Sequence, residues 1–240
     1  MKKVLVFAVM VTSFYSCNDE IFDIQEVDNV EMPPAGLKLK SKNGLISERF
    51  YYHSNGFVDS ISSYHLFGGT FADKFIYNNS NQIIEIKAQE QFTNNPSSIK
   101  KKFYYFHYNN LNQIISKSTY DENNVLLDSI TYTYTSNGVL NNANKTVLNE
   151  NLISESGGGT LITYIHDTSI NPYYNIYPKA YRTINYINKN NTLKQVNVYD
   201  NLETIINEHQ LQLNELNYKV KEFITNMGVD TDDSRTYNYY

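Results

Sequence analysis

Ile130-Thr131-Tyr132-Thr133-Tyr134-Thr135-Ser136-Asn137-Gly138 carries the fold in nine residues. Side chains of a strand point alternately to its two faces, so Ile130, Tyr132 and Tyr134 share one face while Thr131, Thr133 and Thr135 take the other. Wound as a helix, the same residues would scatter their apolar groups around the whole surface and leave no stripe to bury. Asn137-Gly138 then supplies the turn, because tight hairpins need positive φ at one or two positions, which Asn and Gly tolerate and β-branched residues do not.

The unit recurs in both directions along the chain. An aromatic strand ends in Tyr, a few Asn, Ser or Gly residues turn it, and an alternating strand follows. Copies are read at Tyr51-Tyr52-His53-Ser54-Asn55-Gly56, Tyr77-Asn78-Asn79-Ser80-Asn81, Tyr108-Asn109-Asn110-Leu111-Asn112, Tyr134-Thr135-Ser136-Asn137-Gly138 and Tyr186-Ile187-Asn188-Lys189-Asn190-Asn191. Strands are predicted near 46–53, 57–65, 72–77, 82–90, 100–108, 113–120, 125–135, 139–148, 160–166, 180–188, 192–199, 204–213, 217–225 and 235–240. Sequential strands usually lie side by side, so the prediction is an all-β, antiparallel up-and-down meander of about 12–14 strands built from β-hairpins. So many twisted strands do not stay flat, and the meander is expected to curl or close into a barrel. Ser154 to Gly159 is read as a loop inside one domain, residues 37–240.

Composition limits what such a domain does. Hydrophobic residues make up 41% of the 240, enough for a core, but 22 Tyr and no Trp shift that core toward rings with a polar tip. The formal net charge is −5, and the longest basic run, Lys100 to Lys102, has three residues. Nucleic acid is therefore not an expected partner, since its binding draws on clustered Lys and Arg.

Residues 1–16 read as a signal peptide: Lys2 and Lys3, an apolar run from Val4 to Val11, and small and aromatic residues up to Ser16. The run is shorter than the roughly 20 residues a membrane-spanning helix needs. The single cysteine, Cys17, follows at once and has no second thiol to pair with. Ser16-Cys17 resembles the lipobox of bacterial lipoproteins, with Phe14 and Tyr15 departing from its usual residues. The resemblance implies cleavage before Cys17, lipidation of Cys17 and attachment to the membrane through the N-terminal lipid. Residues 17–36 read as a tether: six acidic residues between Asn18 and Glu31 with no Lys or Arg, then Pro33-Pro34-Ala35-Gly36. A flexible chain of this length reaches about 25 Å. Acidic residues directly after Cys17 resemble the export signal of Bacteroidetes surface lipoproteins, which implies the outer membrane, at the cell surface or the periplasmic face.

Tyr120-Asp121, Tyr199-Asp200 and the Tyr-Asn turns resemble tyrosine-aspartate repeats of bacterial surface and toxin-shell proteins. Tyr164-Ile165-His166-Asp167, Asn171-Pro172-Tyr173 and Tyr237-Asn238-Tyr239-Tyr240 are similar to Bacteroidetes lipoproteins of an uncharacterised family with a porin-like β-meander fold. That resemblance implies a fold and an anchor, and no chemistry.

Residues that could carry chemistry are few. His53, His65, His107, His166 and His209 stand singly, without the paired spacing of a metal site, and no cofactor is expected. His166-Asp167 is the best acid–base candidate, because a neighbouring carboxylate can orient an imidazole. Ser154-Glu155-Ser156-Gly157-Gly158-Gly159 lacks the Lys of a phosphate loop. Asp230-Thr231-Asp232-Asp233 offers hard oxygen ligands but reads as a solvated turn between the last two strands. Tyr104-Tyr105 and Tyr173-Tyr174 put rings on both faces of a strand, and exposed rings stack on sugars or pack on proteins. Glu85, Lys87, Lys117 and Lys194 interrupt any continuous lipid-facing surface. The expected function is a non-enzymatic, lipid-tethered module binding a glycan or a protein through Tyr104, Tyr105, Tyr173, Tyr174, His166 and Asp167. An assembly role in an outer-membrane complex and a hydrolase stand as the alternatives.

Overall fold

The computed structural model describes residues 31–240 apart from 34, 67, 93–98, 200–201 and 228. The segment read as a signal peptide, Cys17 and the segment read as a tether as far as residue 30 lie outside the described residues.

Among the described residues, fifteen strands form one antiparallel sheet. The first arm comprises β1 (Leu39–Asn43), β2 (Ile46–Tyr52), β3 (Val58–His65), β4 (Gly69–Tyr77), β5 (Ile83–Phe92), β6 (Ile99–Tyr108), β7 (Ile114–Asp121) and β8 (Leu126–Thr131). The second comprises β9 (Lys145–Leu148), β10 (Asn151–Gly157), β11 (Thr160–Ile170), β12 (Asn190–Tyr199), β13 (Leu202–Leu213), β14 (Lys219–Asn226) and β15 (Val229–Tyr239). Each strand pairs with its sequence neighbour except at one place. β1 pairs with β15 in the middle of the sheet, and β8 and β9 form its two edges. The meander is thus as expected, but the sheet is open. Between the edges, the stretch predicted as strand to residue 135 keeps only the isolated bridge Tyr134–Leu140 around the Asn137-Gly138 turn.

The repeat has a physical basis in two devices. In the turns, Asn78, Asn109, Asp121 and Asn214 each accept two backbone N–H bonds on one side-chain oxygen, from the residues two and four positions on. The residue three positions on takes positive φ: Asn81 at 60°, Asn112 at 58°, Asn124 at 63° and Asn217 at 60°. Short amides tolerate that region because they bond locally to the backbone. At the strand ends, tyrosine hydroxyls clasp hairpins shut. Tyr52 donates to the Leu39 carbonyl (2.6 Å), Tyr77 to Val58 (2.7 Å), Tyr108 to Ile83 (2.9 Å), Tyr134 to Ile114 (2.8 Å) and Tyr239 to Lys219 (2.7 Å). Each ring spans the hairpin it terminates and bonds the residue that opens the partner strand.

Three local readings are corrected. Residues 180–188 are not a strand: α1 (Lys179–Ile184) follows a 3-10 turn at Tyr174–Ile176. Ile176, Tyr177, Ala180, Tyr181 and Ile184 recur at helical spacing, and four of them are buried while Tyr181 packs against that core. The Tyr186 repeat therefore fails, since Tyr186 sits at φ 51° just beyond the helix. Ser154 to Gly159 is largely strand, the end of β10, with Gly158 and Gly159 at φ 58° and 82° turning directly into β11. Both turn positions need positive φ, which is why glycines stand there. Residues 230–233 belong to β15 and not to a turn.

The core lies on the inner face of the first arm. Leu39, Phe50, Val58, Ile61, Phe75, Ile83, Ile86, Phe106 and Ile114 project from β1–β7 onto the 174–184 insert. Tyr181 meets Phe75 and Phe106 edge-on at 6.1 and 5.9 Å. Burying each such Phe or Ile stabilises the fold by about 1.5–3 kcal/mol, so the insert is what the first arm folds around.

Candidate functional site

The residues singled out from the sequence do not converge. Tyr104 packs its ring against the core, whereas Tyr105 faces the other side of β6 and meets Tyr120 edge-on at 5.6 Å. Tyr173 lies against Phe50 (5.8 Å) and donates its hydroxyl to Glu48, and burial beside that carboxylate pushes its phenol well up. Tyr174 turns away and donates to Glu150 (2.8 Å), with the Arg182 guanidinium 4.2 Å above its ring. Burial and the Glu150 bond push that phenol up to about 12.

His166 and Asp167 are adjacent but not a working dyad. The Asp167 carboxylate accepts from the backbone N–H of Ser169 and Asn191 (3.0 Å each) and from the Asn191 amide (3.2 Å). It locks β11 to the start of β12. Nε2 of His166 is buried without a hydrogen-bond partner, and desolvation pushes this imidazole down despite the Asp167 charge. Among the described residues, no three His, Cys, Asp or Glu side chains gather to hold a metal ion.

Two clefts remain. One, of about 260 Å³, opens between the loop after β8 and the β9–β10 turn; Tyr174, Glu150 and Arg182 line it with Val139, Leu140 and Leu152. Of the six candidates only Tyr174 reaches it. Arg182 is itself structural there, donating to the Tyr177 and Tyr174 carbonyls (2.5 and 3.3 Å).

The second cleft, of about 490 Å³, lies over β11–β15 and is lined by polar side chains together with Leu45 of the β1–β2 turn and Ile224. Its axis is a register row. Tyr164 of β11 stands opposite Gln195 of β12, Gln195 opposite Asn207 of β13, and Asn207 opposite Asn226 of β14. All four line the cleft, with Thr192, His209 and Arg235 beside them. The Asn207 amide donates to the Gln195 side-chain oxygen (2.9 Å), so the orientation of both amides is set.

Beneath the row sits a buried charge cluster. Glu222, almost wholly buried, accepts from Nδ1 of His209 (2.9 Å), Nζ of Lys219 (3.2 Å) and the Tyr237 hydroxyl (2.5 Å), with the Arg235 guanidinium at 3.7 Å. Burial alone would raise the Glu222 carboxyl. The His209 bond, the Lys219 charge and the Tyr237 bond outweigh it and hold the group far below the carboxylate range. Lys219 moves down, because desolvation there exceeds the pull of Glu222. A carboxylate only accepts, so Nδ1 of His209 carries the proton of that bond. The arrangement holds one imidazole rigidly at the cleft beside oriented amides.

Sequence reasoning missed this site because its residues fall far apart in the chain and meet only through register. One signal was available. In the middle of β13, Asn207 and His209 alternate with Glu208 and Gln210, which puts polar side chains on both faces of the strand between Ile206 and Leu211.

No family model and no curated protein matches the chain. Among solved structures it is similar to a porin-like protein from Bacteroides uniformis, at 9% identity and a TM-score of 0.37, over 88% of this chain and 99% of that one.

Proposed function

We propose that this chain is a lipid-tethered, non-enzymatic envelope module whose cleft over β11–β14 binds a carbohydrate. The row Tyr164–Gln195–Asn207–Asn226 carries the reading. Sugar hydroxyls each donate and accept, and the fixed amides answer both roles. Each neutral bond contributes about 0.5–1.5 kcal/mol net, so four to six of them give affinities from millimolar toward micromolar. Placement at the envelope draws on the signal-like residues 1–16 and Cys17.

The test is a glycan array followed by calorimetry on the processed protein. Retention of at least one carbohydrate, weakened at least tenfold by Asn207→Ala and not by Tyr105→Ala, is the expected result. Retention of none, or indifference to Asn207→Ala, refutes the reading.

A further inference from the structure

We infer that the ligand is a linear oligosaccharide of about three rings laid across the strands of β11–β14. The inference rests on the carbohydrate reading of this cleft and specifies its substrate class. Adjacent strands in a sheet lie about 4.8 Å apart, so the three steps from Tyr164 to Asn226 span about 14 Å. Each step is close to the length of one pyranose ring in an extended chain. The row therefore offers its four polar side chains in a line, at the two ends and two junctions of three rings, rather than a ring of groups converging on a single sugar.

Three further observations shape the ligand. The Asn207-to-Gln195 bond consumes one donor and one acceptor between them, which leaves the Gln195 NH₂ and the Asn207 oxygen lone pair to meet hydroxyls of opposite sense. At one end, the Tyr164 hydroxyl donates to Glu155, itself held by Lys145 at 2.8 Å, so its ring stands fixed as a stacking flank. Both carboxylates near the cleft are held by cations, Glu155 by Lys145 and Glu222 by Lys219 and Arg235. A cationic sugar would have to displace one of these to reach either carboxylate. Because successive strands rotate by roughly 20–25°, a chain following the row twists as it crosses.

The experiment is calorimetry on the processed protein with a size ladder, one to six rings, of the glycan the array retains. Affinity is expected to rise at least tenfold from one ring to three and to change less than twofold from three to six. Asn226→Ala should weaken the trisaccharide at least fivefold and the disaccharide by less. A flat response from a single ring onward, or a rise continuing past four rings, overturns the inference. Either of these results with binding still sensitive to Asn207→Ala leaves the carbohydrate reading standing. Retention of no glycan, or of a protein partner only, removes both.

Discussion

Asp73 sets a pH dependence into the stability of the first arm. It stands on β4 in a cross-strand row between Ile61 of β3 and Ala88 of β5, both core residues. Burial there, with Glu90 and Glu48 adding their charge, raises its carboxyl from an ordinary value near 3.8 to about 6. The native state holds the proton more tightly than the unfolded chain, so the protonated form suffers no penalty below pH 3.8. The penalty grows as pH climbs through the interval and is complete above about 6. A gap of about two pH units at about 1.4 kcal/mol each makes it about 3 kcal/mol. Asp73→Asn cannot ionise and should remove it. The amide has its own burial cost, but that cost is the same at every pH and cancels in a comparison. Urea denaturation of both proteins at pH 4 and pH 7.5 should therefore show the variant gaining about 2–3 kcal/mol relative to wild type on going from the lower pH to the higher. An identical stability difference at both values would refute the reasoning.

Tyr77→Phe and Tyr108→Phe each delete one clasp to a strand-opening carbonyl, Val58 or Ile83, and should each destabilise by about 1 kcal/mol in the same assay, with the pair additive. Tyr105→Phe, on the opposite face of β6, serves as the control and should change stability by less than about 0.5 kcal/mol. Cys17→Ser should shift the protein from the membrane pellet to the soluble fraction of fractionated cells and abolish incorporation of labelled fatty acid. Continued pelleting of the variant would remove the proposed anchor.

How much of this was legible beforehand depends on the range of the interaction. The turns were readable because Asn78, Asn109 and Asp121 bond to backbone only two and four residues away, a geometry the local sequence encodes whole. The purpose of the Tyr preceding each turn was not, since its hydroxyl partner lies 13 to 25 residues back. Helix α1 was misread because Ile184 and Tyr186 look like alternation when isolated. Only the apolar bowl formed by β1–β7 rewards the helical spacing of Ile176, Tyr177, Ala180 and Ile184. The polar cleft was invisible for the same reason, as Tyr164, Gln195, Asn207 and Asn226 are neighbours through register alone.

Alternation and turn chemistry, both local, determined from sequence that this chain is a run of antiparallel hairpins. Tertiary structure decided where the sheet stops, what fills it and where it is polar. Those outcomes rest on which strand meets which. β1 with β15 joins residues nearly 200 positions apart, and a pairing at that separation is set by the burial it completes and not by any property of either strand alone.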